Sequence, residues 1–156
     1  KKCIDLSRGE FVTIFDIDEY LTQDLIKADN IIDNDNKISF LVGSRTIHQK
    51  KFIYKKNYYG VRVMTMMINL LFKTKISDAA GATKIFKRNI YKDLDVKTQE
   101  FDFEFDVLCK FAKKGLKISE FPIEYFPRSF AEGKKLRAFK DGSLILKSIL
   151  KNYFFK

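Results

Sequence analysis

The chain has 156 residues, the size of one domain with a substantial hydrophobic core. Its 46% hydrophobic and 32% charged residues indicate a folded body and exclude a disordered chain. No apolar stretch reaches the roughly 18 residues that a membrane span requires. Cys3 and Cys109 are too few for a disulfide framework or a zinc site. We therefore expect two free thiols in a reducing compartment.

The net charge of +10 favours a negatively charged partner, which could be nucleic acid, an anionic membrane surface or a phosphorylated ligand. Much of the excess lies in two basic clusters that are interspersed with aromatic residues. The first contains Lys50, Lys51, Lys55 and Lys56, and the second contains Arg128, Lys134, Lys135, Arg137 and Lys140. Each cluster is also compatible with an ordinary solvated loop.

The first predicted elements are a strand, a helix and a second strand. Residues 11–15 form an apolar, β-prone run that stops at acidic residues, which predicts a buried strand. Thr22 is a suitable N-cap for a helix whose apolar residues follow at near-helical spacing. Residues 38–42 predict the second strand. This succession is typical of a βαβ unit and predicts an α/β sheet.

The rest of the chain continues the alternation. We predict helices at 58–72, 89–94, 102–114 (closed by Gly115) and 141–155, strands at 83–86 and 118–125, and a basic loop at 127–140. Pro122 indicates an edge strand or a bulge. No repeat or linker divides the chain, so we interpret residues 1–156 as a single domain. Its first predicted element is a short helix ending at Gly9, and we expect further strands of the domain to precede Lys1.

Asp16 and Asp18 follow the first predicted strand directly and flank Ile17. Open α/β sheets bind their ligands at the carboxyl ends of strands, and the alternation of an extended chain points both acids to the same side. Two carboxylates suit Mg²⁺ or Mn²⁺, which take further ligands from water and substrate phosphates. An isolated D-x-D pair is also common among solvated loop acids.

An ordered set of further motifs follows this pair. They are G-S-R at 43–45, G-V-R at 60–62, N-L-L-F at 69–72, S-D at 77–78, K-I-F-K-R at 84–88, F-E-F-D at 103–106, P-I-E-Y at 122–125, P-R at 127–128, E-G-K-K at 132–135 and D-G at 141–142. In this order and spacing, over nearly the whole chain, they resemble the family 2 glycosyltransferases of the polyprenyl-phosphate type, such as dolichyl-phosphate mannosyl- and glucosyltransferases. The resemblance implies a partial GT-A (Rossmann-like) α/β domain with a mixed sheet and amphipathic helices, lacking the first family strand and its base pocket.

The resemblance also implies roles for the acidic residues. Asp16 and Asp18 match the acidic pair that holds the divalent cation on the donor diphosphate, and Asp18 is thereby expected to be catalytic. Asp78 matches an acid near the acceptor and is expected to be catalytic as a positioning or basic residue. The family's residue two places beyond the second Asp fits Glu19-Tyr20 only if one residue is deleted.

Four basic residues are implied to bind the substrates. Arg45 matches the arginine of the G-S-R motif, and Arg62 matches the arginine that opens the following helix. Arg128 and Lys135 lie in the P-R…E-G-K-K segment. In the relatives these groups gather the phosphates of the donor and of the lipid acceptor.

The implied activity is inverting transfer of a hexose from a UDP- or GDP-sugar to a polyprenyl phosphate at the cytoplasmic face of a membrane. The amphipathic stretches 58–72 and 141–155 either pack on the sheet or lie on anionic lipid. The alternatives are a saccharide acceptor, an inactive remnant, or a basic nucleic-acid-binding module. Nucleic-acid binding does not require Asp16 and Asp18, so we do not expect nucleic acid to be the partner.

Overall fold

The computed structural model describes residues 2–16, 21–47, 55–81, 83–98, 102–126 and 138–155. The helices are α1 Lys2–Leu6, α2 Gln23–Asn34, α3 Lys55–Phe72, α4 Arg88–Lys92, α5 Phe103–Lys113 and α6 Ala138–Phe154. The strands are β1 Phe11–Ile14, β2 Ile38–Ser44, β3 Lys84–Lys87 and β4 Lys117–Pro122.

The four strands form one mixed sheet in the order β1-β3-β2-β4. Strand β3 is antiparallel to both of its neighbours, whereas β2 and β4 are parallel. Strands β1, β2 and β4 therefore run in the same direction, and their carboxyl ends meet at one edge of the sheet. The predicted α/β architecture is confirmed. The two strands of the predicted βαβ unit are parallel, but β3 lies between them.

The sheet lies between two helical layers. On one face, Leu41 and Ile85 are buried against Ala28 of α2. On the other face, α3, α5 and α6 contribute to a larger core. Its fully buried members include Phe40, Val42, Ile68, Phe86, Leu108, Phe111 and Ile149. Because both faces are covered, every residue of β2 is buried, rather than every second one.

An irregularity at the start of β2 determines which side chains face α2. The register with β4 shifts between Ile38 and Phe40. As a result, Ile38 packs with Leu41 on the α2 face while Phe40 lies on the opposite face, an arrangement that strict alternation cannot produce. Pro122 ends β4, the strand at one end of the sheet order, which confirms the predicted edge position.

The helix ends agree only partly with the sequence predictions. Gly115 adopts a φ of 68° just after α5, as expected for the residue that terminates it. Thr22 precedes α2, but its side chain makes no capping hydrogen bond. The buried Asp24 instead ties the start of α2 to the end of β4, because its Oδ2 accepts the N–H of Glu124 at 3.1 Å.

The predicted basic loop at 127–140 is too long at its carboxyl end. Helix α6 begins at Ala138, so residues 138–140 are helical rather than part of the loop, and residues 127–137 lie outside the described ranges.

None of the helices in the described part of the chain has the length and apolar character needed to cross a membrane, the 18-residue α3 included.

Candidate functional site

The candidate site lies where three parallel strands end. The register aligns four residues in one row across the sheet, namely Ile14, Lys84, Val42 and Glu120. Asp16 comes two residues beyond this row on the β1 side, and Arg45 follows the last residue of β2. One strand separates β1 from β2, so their ends are about 10 Å apart. This is the sheet edge at which α/β proteins bind their ligands.

The segment between α3 and β3 is held to α3 by side chains of that helix. Asn69 forms two hydrogen bonds with Ile76, donating from Nδ2 to its carbonyl oxygen at 2.7 Å and accepting its N–H at Oδ1 at 3.0 Å. Thr65 accepts the N–H of Ala79 at 3.0 Å through its Oγ1. These bonds satisfy buried backbone groups that no strand or helix would satisfy, and they place the intervening residues at the sheet edge.

Glu120 of β4 fixes those intervening residues from the other side. Its Oε2 accepts the N–H of Ser77 at 2.7 Å, and its Oε1 accepts the N–H of Asp78 at 3.1 Å. A carboxylate that accepts two successive backbone N–H groups sets the direction of the peptide between them. Asp78 is therefore oriented by a residue 42 positions away in the chain.

Asp78 and Arg45 form a two-point ion pair. Arg45 donates from Nε to Oδ2 at 2.7 Å and from Nη2 to Oδ1 at 2.9 Å, and its backbone N–H also reaches Oδ2 at 3.1 Å. The Asp78 side chain is fully buried and that of Arg45 is 17% exposed. The guanidinium carbon also lies 5.1 Å from the centre of the Tyr125 ring. This geometry is the planar pairing that makes arginine suited to carboxylates and phosphates.

The two carboxylates have opposite pKa shifts. Burial alone would raise the pKa of Asp78, but the charge and hydrogen bonds of Arg45 outweigh it and hold that pKa below its usual value. Burial raises the pKa of Glu120, with a further contribution from the negative charge of Asp78, although the N–H groups of Ser77 and Asp78 oppose the rise. Asp78 is therefore kept ionised and is a weak base.

A close backbone contact completes this edge. A Cβ added to Gly81 would lie 1.7 Å from the carbonyl oxygen of Gly43, so only glycine fits at this position. Lys84, fully buried, donates from Nζ to the Gly81 carbonyl at 2.6 Å and to Glu104 at 2.5 Å. Thus the loop before β3 is pressed against β2 and tied to α5.

Three hydroxyl groups lie together beside the ion pair. Oγ of Ser77 is 2.7 Å from Oγ of Ser44 and 2.9 Å from Oγ1 of Thr46. Ser77 also donates to Glu120 at 3.2 Å. The hydroxyls thus join three parts of the chain into one polar network: the end of β2, the loop that precedes β3, and strand β4.

The structure brings three of the sequence-predicted residues to this network or near it. Arg45 and Asp78 form the ion pair, and Arg62 of α3 lies with Nη1 at 3.5 Å from the carbonyl oxygen of Ser77, the outer limit for a hydrogen bond. Asp16 is exposed immediately beyond β1. The catalytic and binding roles of these residues stay predictions.

The remaining predicted residues lie outside the described ranges. They are Asp18, Arg128 and Lys135. No cluster of three potential metal ligands occurs among the side chains that the structure describes. Asp16, an exposed carboxylate just beyond the carboxyl end of β1, fits the predicted cation site. The strand itself is only partly buried, since Val12 alone of its four residues is buried, so the predicted burial of this strand is wrong.

Sequence reasoning missed two residues that organise the site. Glu120 lies within a strand in which most neighbours are partly buried, and a carboxylate in such a strand signals a buried partner. Lys84 opens the K-I-F-K-R motif at 84–88, but nothing in the neighbouring sequence indicates that its side chain is buried. Only the pairing of β3 between β1 and β2 places its side chain in the interior.

A groove of about 800 Å³ lies elsewhere, between α2 and the surfaces of β1 and β3. Its lining includes Phe11 and Lys87, which pair at the opposite end of the sheet from the Arg45–Asp78 pair. None of the residues to which we assigned a role lines it.

The chain resembles a curated protein in sequence and solved structures in fold. No model of a known protein family matches the chain. The chain is 26% identical over 140 residues to the low-salt glycan biosynthesis hexosyltransferase Agl6 of Haloferax volcanii, a match that covers 86% of this chain and 33% of that protein.

Two solved structures share the architecture. A mycobacterial protein superimposes with a TM-score of 0.72 at 13% identity, covering 99% of this chain and 50% of the other. Glucosyl-3-phosphoglycerate synthase of Mycobacterium tuberculosis, in complex with Mn²⁺, UDP and glucosyl-3-phosphoglycerate, superimposes with a TM-score of 0.69 at 7% identity, covering 99% and 53%.

The chain has the fold of the GT-A glycosyltransferases, as the sequence predicted. The sequence similarity to a hexosyltransferase agrees with the glycosyltransferase class. The chain spans about a third of the curated relative and about half of each of these two structures.

Proposed function

We propose that the protein transfers a hexose from a UDP- or GDP-sugar to a polyprenyl phosphate at the cytoplasmic face of a membrane. The observation that carries the proposal is a GT-A fold in which Asp16 follows β1 at the same edge of the sheet as the Arg45–Asp78 pair. Arg62 lies beside that pair. The glucosyl-3-phosphoglycerate synthase with this fold binds Mn²⁺ and UDP, which supports a metal-assisted nucleotide-sugar donor.

The donor diphosphate would be held at the end of β1. Asp16 and Asp18 would bind a divalent cation, Mg²⁺ or Mn²⁺, which supplies positive charge to the departing diphosphate. Arg62, Arg128 and Lys135 would bind phosphate groups of the donor and of the acceptor. The proposal assigns Asp18 a catalytic role through the cation.

Arg45 and Asp78 would act as one unit at the acceptor side. Because Asp78 is ionised and engaged by Arg45, it orients the guanidinium rather than accepting a proton. A polyprenyl phosphate is already an anion at neutral pH, so the acceptor requires orientation more than deprotonation.

The reaction would proceed with inversion. One oxygen of the lipid phosphate forms a bond to the anomeric carbon, and the bond from that carbon to the β-phosphate oxygen of the donor breaks on the opposite face. The electron pair leaves with the nucleoside diphosphate. No proton needs to be transferred to complete the step.

Nucleotide binding tests the donor half of the proposal. We expect UDP or GDP to bind in the presence of Mn²⁺, and the variant Asp18→Ala to lose this binding, while Asp33→Ala on the exposed surface of α2 retains it. Calorimetric titration with and without Mn²⁺ measures both. Nucleotide binding that is absent, or that does not depend on metal, would contradict the proposal, as would tight, salt-sensitive RNA binding without metal.

Product analysis tests the acceptor. Radiolabelled UDP-glucose and GDP-mannose are each incubated with a polyprenyl phosphate, with a saccharide and with 3-phosphoglycerate, and the products are separated by solvent extraction. Label in the lipid phase supports the polyprenyl phosphate. Label in one of the soluble acceptors instead favours that acceptor, and metal-dependent nucleotide binding without any transfer favours an inactive remnant.

A further inference from the structure

Glu120 is a carboxylate to which the proposed function assigns no role. It lies two residues before β4 ends at Pro122, level with Val42 of β2 in the row that crosses the carboxyl edge of the sheet. Its hydrogen-bond partners among the described residues are the N–H groups of Ser77 and Asp78 and the hydroxyl of Ser77. A partly buried carboxylate without a cationic partner is unfavourable, so only the groups that it holds offset the cost of its burial.

The two backbone bonds fix the main chain at Asp78. The N–H of Ser77 donates to Oε2 at 2.7 Å and that of Asp78 donates to Oε1 at 3.1 Å, so the peptide between them cannot rotate without losing one bond. The side chain of Asp78 extends from this fixed point to Arg45, whose Nε and Nη2 donate to its two oxygens at 2.7 and 2.9 Å. The position of the Arg45 guanidinium therefore depends on Glu120 through one intervening residue.

The charge of Glu120 is needed for this arrangement. An ionised carboxylate only accepts hydrogen bonds, and each of its oxygens here faces a donor. A protonated carboxyl or an amide would present a hydrogen to one of these donors instead, and one backbone N–H would lose its acceptor. Neutralising Glu120 should therefore release the main chain of Asp78, and Arg45 with it, while leaving the end of β1, where the cation site is predicted, unchanged.

We propose that Glu120 is a positioning residue for the acceptor: its carboxylate holds the main chain of Asp78 so that the guanidinium of Arg45 receives a phosphate monoester. A guanidinium carries five N–H donors, more than the two that the Asp78 carboxylate accepts from it. This inference rests on the proposed function, which places a phosphate-bearing acceptor beside the Arg45–Asp78 pair. It goes further by assigning the orientation of that pair to a residue on another strand that acts only through Asp78.

Binding of phosphate monoesters tests the proposal in matched variants. Glu120→Gln keeps the size of the side chain and removes its charge and one acceptor oxygen. Glu10→Gln makes the same change at a side chain that is 74% exposed, next to Phe11 at the opposite end of the sheet. Farnesyl phosphate and 3-phosphoglycerate are titrated into the full chain in separate calorimetric runs, which distinguish a prenyl-borne phosphate from a soluble one. UDP and GDP with Mn²⁺ are titrated in parallel.

We expect Glu120→Gln to bind the monoester that wild type binds at least about tenfold more weakly, because a misplaced binding group loses contacts that depend on its orientation. Its affinity for the nucleotide with Mn²⁺ should stay within about twofold of wild type, and Glu10→Gln should match wild type in both titrations. Equal monoester affinity in Glu120→Gln and wild type would overturn the proposal. So would a loss of nucleotide and monoester binding together, which a merely structural role predicts, or a wild type that binds neither monoester.

A proton titration of wild type gives a second measurement that does not depend on the folding of a variant. Burial raises the pKa of Glu120. Burial would also raise the pKa of Asp78, but Arg45 outweighs it and holds that pKa below its usual value. In the pH interval between the two, Glu120 becomes neutral while Asp78 stays ionised. The NMR resonance of the Arg45 Nε–H should shift with the midpoint of the Glu120 carboxyl carbon, and a resonance that moves only with Asp78 would contradict the proposal.

Other charged groups lie on the elements around Glu120, so the midpoint requires assignment. They are Asp24 on α2, Arg45 after β2, Arg62 on α3, Asp78 before β3, Lys84 in β3, and Glu104 and Asp106 on α5. The carboxyl carbon of Glu120 is assigned through its own backbone resonances, which separates it from the other carboxylates without a variant.

Nucleotide binding separates this inference from the proposed function. If Glu120→Gln leaves monoester binding unaffected while Mn²⁺-dependent nucleotide binding persists, Glu120 has no positioning role and the transferase proposal stands. If wild type binds a monoester in a Glu120-dependent manner but binds no nucleotide with Mn²⁺, the positioning role stands and the transferase proposal is wrong.

Discussion

Replacing Asp78 by Asn tests the central contact of the site. The substitution keeps the size of the side chain but removes its charge and replaces one acceptor oxygen by an NH₂ donor. In the native protein the two carboxylate oxygens accept three N–H groups of Arg45 and one of Ala80. An amide leaves its NH₂ facing the guanidinium of Arg45, which is only 17% exposed.

The expected loss follows from removing one partner of a buried ion pair. Such a change costs about 3–5 kcal/mol, because the remaining charge is left without compensation. For a domain of this size, each kcal/mol lowers Tm by about 2–4 °C, so we expect Tm to fall by roughly 6–20 °C. Thermal and urea unfolding followed by circular dichroism measure the change. Asp33→Asn, an exposed acid on α2, serves as the control and should stay within about 0.5 kcal/mol of wild type.

The pH dependence identifies the mechanism. The pKa of Asp78 is lower in the folded protein than in the unfolded chain, so the ionised carboxylate contributes stability that is complete above the unfolded pKa of about 4. This contribution disappears as the pH falls through the folded pKa. The difference between wild type and Asp78→Asn should therefore be constant near neutrality and shrink in acid.

Two results would refute the reasoning. One is an Asp78→Asn protein within about 1 kcal/mol of wild type at pH 7, since a buried pair predicts more. The other is a difference that stays undiminished in strong acid. A double variant with Arg45→Gln adds a further check. Its loss of stability should be smaller than the sum of the losses of the two single variants, because neither partner of the pair is then left behind without the other.

Three further predictions concern the residues around this contact. Gly81→Ala should destabilise the protein by at least about 1–3 kcal/mol in urea unfolding, because its Cβ would lie 1.7 Å from a carbonyl oxygen of β2. Gly142→Ala is the control: it lies in helix α6, its Cβ would meet no atom within 4 Å, and it should stabilise the protein by about 0.5–1 kcal/mol. Lys84→Met should lose about 1–3 kcal/mol in the same assay, since the buried Gly81 carbonyl loses its donor; a change below 0.5 kcal/mol, on the order of an exposed substitution, would contradict this. A disulfide reagent should label the exposed Cys3 rapidly and Cys109 only on unfolding, because burial excludes the reagent and raises the thiol pKa; rapid labelling of a Cys3→Ser variant would show that Cys109 is accessible.

Local patterns in the sequence determine much of this protein. Hydrophobic runs of strand length, apolar residues at helical spacing and the glycine after α5 depend on neighbours within a few residues, and each of these elements is present in the structure. The position of Asp16 just beyond β1 could be predicted for the same reason. The polyprenyl-phosphate acceptor and the roles of Asp18, Arg128 and Lys135 stay predictions from the resemblance.

Contacts between distant parts of the chain were decided by the tertiary structure alone. Arg45 meets Asp78 across 33 positions, and Glu120 meets Ser77 across 43. Both contacts depend on the strand order, with β3 on one side of β2 and β4 on the other, which is set by the assembly of the whole sheet rather than by the local sequence. The same strand order buries Lys84, although the residues next to it in the sequence are those of an ordinary surface lysine. The sequence thus identifies residues suited to the chemistry, and the pairing of the strands selects which of them meet.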